Sequence, residues 1–180
     1  MQIVVTRLDA HRYSTIVERQ GVQLRVPGYG FMRALPHDLA HFVVEGSLGL
    51  DRGFWGSVAD GAEFGGMERI EGRRKPHATR KAKTTSEENV DCLSEPERLV
   101  ACFEKIVDGD LDRIPRLADA ELREAQATVR HRTQAIDRSD IAKVCAAWRE
   151  MQARWKKIPV GESIRIEWRS VRALGKEHRR

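Results

Sequence analysis

Three short runs rich in β-branched residues, QIVVTRL, YSTIVER and VQLRV, fill most of the first twenty-six positions, with only a few residues between them. Links that short cannot carry a parallel crossover, so the runs can only fold back on one another as an antiparallel meander. Gln20-Gly21 supplies the turn between the second and third. Near the other end SIRIEWR follows Pro159 and Gly161 and alternates Ile164, Ile166 and Trp168 with polar neighbours, as a half-buried strand does. This last strand is placed to join the meander.

Between these runs the apolar period changes from two to between three and four. Leu35, Leu39, Phe42, Val43 and Leu50 predict a helix that begins near Pro36 and stops at Gly49. FWGSVADGAEF predicts a second, with Trp55, Val58, Ala59 and Ala62 on one side. Ser94-Glu95-Pro96-Glu97 reads as a capped start for a third, whose stripe is Leu99, Val100, Phe103, Ile106 and Val107. Ala118, Leu122, Ala125, Val129 and Ile136 mark a fourth, and Ile141, Val144, Cys145, Trp148, Met151, Trp155 and Ile158 a fifth, capped by Ser139 or Asp140. The expected fold is therefore α+β: an N-terminal antiparallel β-meander, joined by the C-terminal strand, under about five helices. One domain spanning 1–180 is expected, with strands and the first helices in 1–67, a flexible basic linker in 68–95, and a helical segment with its terminal strand in 96–170.

Several function classes fall away on composition. With 41% hydrophobic and 33% charged residues the chain is neither disordered nor membrane-like, and Arg7 and Asp9 interrupt the N-terminus before a targeting segment could form. A cytoplasmic protein without a membrane partner is the expectation. Cys92, Cys102 and Cys145 are odd in number and lack the paired spacing of a disulfide framework or a thiolate metal site. The net charge of +5 is concentrated: Arg69, Arg73, Arg74, Lys75, Arg80, Lys81 and Lys83 face only Glu71, a local balance of +6 that leaves the rest at −1. This segment could contact nucleic-acid phosphates, but it holds no aromatic residue for a base to stack on and has the composition of a solvated linker.

The motif that points to chemistry is Pro36-His37-Asp38-Leu39-Ala40-His41. On a helix, residues four apart stand about 5–6 Å from each other on one face, so two imidazoles at that spacing can converge on one cation. Zinc is the expected ion. Asp38 follows the first histidine and is a candidate to position or deprotonate water, although its side chain is one methylene shorter than the glutamate of zinc-protease helices. Glu45 lies about 12 Å along the axis from His37, too far to join both histidines, but it can orient His41 from one turn away or help position water. Glu63, twenty-two positions after His41 and on the expected second helix, is the candidate third ligand; Asp60 and Asp51 are reserves.

The stretch LPHDLAHFVVEGSLGLDRGFWGSVADGAEF resembles a set of uncharacterised bacterial proteins, and the resemblance implies no known reaction. Its HDxxH core is also similar to the zinc motif of the coenzyme Q biosynthesis scaffold family. That similarity implies metal-site positions at His37, Asp38 and His41 only, because the glutamate that follows in that family is replaced here by Gly53. The expected function is thus a divalent-metal-binding protein, as an enzyme a metal-dependent hydrolase of a small-molecule or peptide substrate. The alternatives are a non-catalytic interaction or structural protein with no metal, and a nucleic-acid accessory protein using the basic segment.

Overall fold

The fold was analysed in a computed structural model, which describes residues 1–28, 34–72, 94–110, 119–123 and 136–169. Strands β1 (Gln2–Arg7), β2 (Tyr13–Arg19) and β3 (Val22–Val26) form the expected meander. Helices α1 (His37–Leu48) and α2 (Phe54–Asp60) follow, then β4 (Glu68–Glu71). Residues 94–108 form α3, residues 119–123 contribute α4, and α5 (Arg138–Lys156) leads into β5 (Ser163–Glu167). The sheet runs β4-β3-β2-β1-β5, antiparallel throughout, so the C-terminal strand joins at the free edge of β1. Gln20 and Gly21 both have positive φ, 49° and 76°, the primed turn that matches the twist of a two-residue hairpin.

The registers explain which face is covered. One row across the sheet reads Ile166, Ile3, Val17, Leu24, and the next reads Ile164, Val5, Thr15, Val26. Every member of both rows is buried, and all but Thr15 are apolar. The intervening positions, such as Gln2, Glu18 and Arg25, point to the opposite, largely polar face. Against the apolar face lie Leu39, Val43 and Val44 of α1, Trp55 and Val58 of α2, Leu99, Phe103 and Ile106 of α3, and Val144, Trp148 and Trp155 of α5, in one core. Thr15 is the polar exception in that surface and the sheet's contact with the site.

Two local readings change. Glu68–Glu71, expected to open the linker, extends the sheet instead, because Arg69 pairs with Leu24 across a bulge and its guanidinium is neutralised by Glu63. The rest of the basic segment, 73–93 with Cys92, lies outside the described residues, as do Ala118, Ala125 and Val129. The cap of α5 is Asp137, whose side chain accepts from the backbone N–H of Asp140 while Asp140 reciprocates; Asp140 is thus the fourth residue of a capping box and Ser139 lies inside the helix. No helix among the described residues is long and apolar enough to cross a membrane.

Candidate metal centre

Helix α1 begins at His37 after Pro36 and ends at Gly49, which adopts the left-handed conformation and donates its N–H to the Glu45 carbonyl. The two histidines thus lie on consecutive turns, as the spacing predicts, but in different surroundings. His41 is 2% exposed and faces the core, whereas the side chain of His37 is 45% exposed at the rim. Their rings meet edge to face with centroids 4.6 Å apart, and their Nε2 atoms are 3.1 Å apart.

The third group is Glu97, in the first turn of α3. Its Oε2 lies 3.1 Å from His37 Nε2 and its Oε1 lies 3.3 Å from His41 Nε2. One ligand atom from each of the three residues falls within 4.8 Å of the other two, a group that could hold a metal ion. Donors around a tetrahedral zinc stand about 3.3 Å apart, given Zn–N distances of about 2.0–2.1 Å. The two Nε2 atoms, 3.1 Å apart, match that spacing, while Glu97 turns a different oxygen to each histidine.

Glu45 sets the orientation of His41. It is 0% exposed, and its carboxylate accepts from the backbone N–H groups of Phe54 and Trp55, each at 2.9 Å, and from His41 Nδ1 at 2.9 Å. A carboxylate can only accept, so the Nδ1 proton belongs to His41, and Nε2 is the nitrogen turned towards His37 and Glu97, able to hold a cation in place of its own proton. The first two N–H groups of α2 have no intrahelical partner and no side-chain cap from Gly53. Glu45 reaches across from α1 to supply it. Glu45 therefore positions His41, as the spacing allowed, and it stands behind the ring rather than beside a water site.

Asp38 is buried, with one carboxylate oxygen accepting from Thr15 Oγ1 at 2.5 Å. Burial drives its pKa above the ordinary carboxylate value, against the Thr15 hydrogen bond and the nearby imidazoles, which pull it down. Its backbone carbonyl accepts from Trp55 Nε1 at 2.9 Å, which fixes α2 to the first turn of α1.

Glu63 is not in the cluster. The pattern of FWGSVADGAEF predicts a helix running through it, but Gly61 takes a left-handed conformation, φ 117°, and ends α2 two residues earlier. Beyond that turn Glu63 Oε1 meets Arg69 Nη2 at 2.6 Å and Arg19 Nη2 at 3.5 Å. Arg19 also donates to the carbonyls of Val58 and Gly61, so it caps the end of α2 and Glu63 holds its guanidinium in place. Of the reserves, Asp60 is exposed in the last turn of α2 and Asp51 lies in the loop before it; neither belongs to the metal-holding group. Glu97 was visible in the sequence only as part of a helix start, fifty-six positions from His41, where no periodic signal connects it to the histidines.

The three donors open onto a pocket of about 370 Å³ whose wall also holds Asp38. Burial pulls the pKa of His41 down, but hydrogen bonds to Glu45 and Glu97 outweigh it and raise it to about 9. Glu97 is held well below the ordinary glutamate value by its hydrogen bonds to His37 and His41. In metal-free protein, charged His41 contributes stability that is fully present below its ordinary value of 6.5 and is lost as pH rises through about 9. The expected result is a melting temperature in excess chelator that falls between those limits, and a flatter profile in His41→Gln. A flat wild-type profile would show that His41 is not held charged.

A scan of protein-family models, a search of curated proteins and a search of solved structures return no match to this chain.

Proposed function

We propose that His37, His41 and Glu97 bind a divalent cation, zinc first among them, and that the adjoining pocket makes the protein a metal-dependent hydrolase of an ester, amide or similar bond. The observation that carries this reading is that one ligand atom from each of the three residues lies within 4.8 Å of the other two, with the two imidazole Nε2 atoms 3.1 Å apart. Two imidazoles and one carboxylate suit zinc and related ions, and three protein donors leave a position open to the pocket. The ion supplies Lewis acidity for polarising a substrate carbonyl and easing the loss of a proton from water.

The remaining roles fall to the chain's own groups. Glu45 keeps the Nδ1 proton on His41, and the α2 N–H groups keep Glu45 in place. Asp38, in the pocket wall and steadied by Thr15, takes the proton from the attacking water and returns it to the leaving group as the carbonyl carbon–heteroatom bond breaks. The test is calorimetric titration of chelator-stripped protein with zinc. One ion per chain is expected, with the heat lost in His37→Ala.

A second reading is favoured by the raised pKa of His41, which fits an imidazolium closed between Glu45 and Glu97 as an ion cluster needing no metal. Under it the protein is non-catalytic and the same titration gives no saturable heat.

A further inference from the structure

We propose that the substrate of this site is uncharged at its reacting group and carries a single aryl or branched alkyl substituent: a neutral ester or amide, in preference to a phosphoester or a free carboxylate. This rests on the metal reading above. At about 370 Å³ the pocket is at the lower end of small-molecule sites, which suits one ring-sized group rather than a polymer.

Its apolar wall is built from rings. Phe54 and Phe64 stack at 5.5 Å between centroids with planes 25° apart, and Val26, Pro27 and Met67 continue the surface. Phe54 is anchored edge-on against Trp55 at 4.8 Å and lies 5.9 Å from the His41 ring, so the apolar surface runs directly up to the donors. An aryl or alkyl group laid along it would bring the adjoining carbonyl to the cluster.

Charge decides the rest. Among the described residues of the lining, the carboxylates are Asp38 and Glu97, and there is no lysine or arginine. Among the described residues, the nearby arginines are engaged elsewhere: Arg19 and Arg69 turn to Glu63, and Arg25 to Glu68. Glu97 in the cluster and Glu45 behind it offset the two charges of the ion, leaving no surplus positive charge for an anionic group. Arginine forks that pair with a phosphoester are common where phosphate is recognised, and the described part of this wall offers none.

The test uses the full chain. Zinc binding is established first by titration, and zinc-loaded protein is then challenged with phenylacetamide and with phenyl phosphate, each followed by saturation-transfer NMR. Phenylacetamide is expected to bind at least about tenfold more tightly than phenyl phosphate, and Phe64→Ala is expected to weaken it about tenfold while zinc binding is unchanged. Tighter binding of phenyl phosphate, or an unaltered phenylacetamide affinity in Phe64→Ala with zinc still bound, overturns the substrate class and leaves the metal reading standing. Failure to bind zinc overturns both.

Discussion

Glu45→Leu is expected to destabilise the protein by about 3–5 kcal/mol, the usual loss when one partner of a buried charged network is removed. Leucine keeps roughly the volume, so the loss is one of hydrogen bonding rather than a cavity. The N–H groups of Phe54 and Trp55 and the Nδ1 of His41 all point at the Glu45 carboxylate, which is fully buried. Each donor left without water or partner costs about 1–3 kcal/mol. Urea denaturation should show a lower midpoint with an unchanged slope. A shift under about 1 kcal/mol would mean that these donors find other partners, which would contradict the account of Glu45 as the joint between α1 and α2. Glu45→Gln keeps one acceptor oxygen but sets its NH2 against a donor that now meets the second carboxylate oxygen, so it should restore only part of the stability, while lowering zinc affinity about 10–100-fold, because a neutral amide orients and polarises His41 less well.

Gly53→Ala is the complementary experiment, since it leaves every hydrogen-bonding group in place. Gly53 has φ −70°, which any residue can adopt, so its absence of a side chain is a matter of space. A Cβ there would stand 2.9 Å from Glu45 Cγ and closer still to its carboxyl carbon and Oε2. That carboxylate cannot swing aside without abandoning three donors. A cost at or above the upper end of the ~1–3 kcal/mol range for overpacking is expected, seen as a melting temperature lower by about 2–4 °C for each kcal/mol in a chain of this size. A neutral outcome would show that α2 can withdraw from α1 without penalty. The absence of a side chain at Gly53 is therefore what allows Glu45 to approach α2.

The strands and the HDxxH helix were legible because their signals are local. Alternation in YSTIVER and SIRIEWR matches the inward Thr15, Val17, Ile164 and Ile166, and Gly49 ends α1 where its position predicts. Boundaries failed where a tertiary partner decided them. Residues 68–71 look like polar linker until Glu63 and β3 are beside them, and α2 stops at Gly61 rather than passing through Glu63.

Spacing alone brought His37, His41 and Glu45 together, because one helix holds all three. The third donor had to come from another element, and helical period says nothing about which acid on a separate helix will arrive. Glu63 was the nearer in sequence, but two arginines claim it. Glu97 arrives because the apolar stripe of α3 packs into the shared core and its first turn then lies over the histidines.

Metal binding at this site depends on which glutamate completes the cluster. Zinc content per chain, measured by elemental analysis after loading and dialysis, should be one ion in wild type and in Glu63→Gln, and near zero in Glu97→Gln, with all three proteins folded by circular dichroism. Zinc retained in Glu97→Gln, or lost in Glu63→Gln, would contradict the assignment.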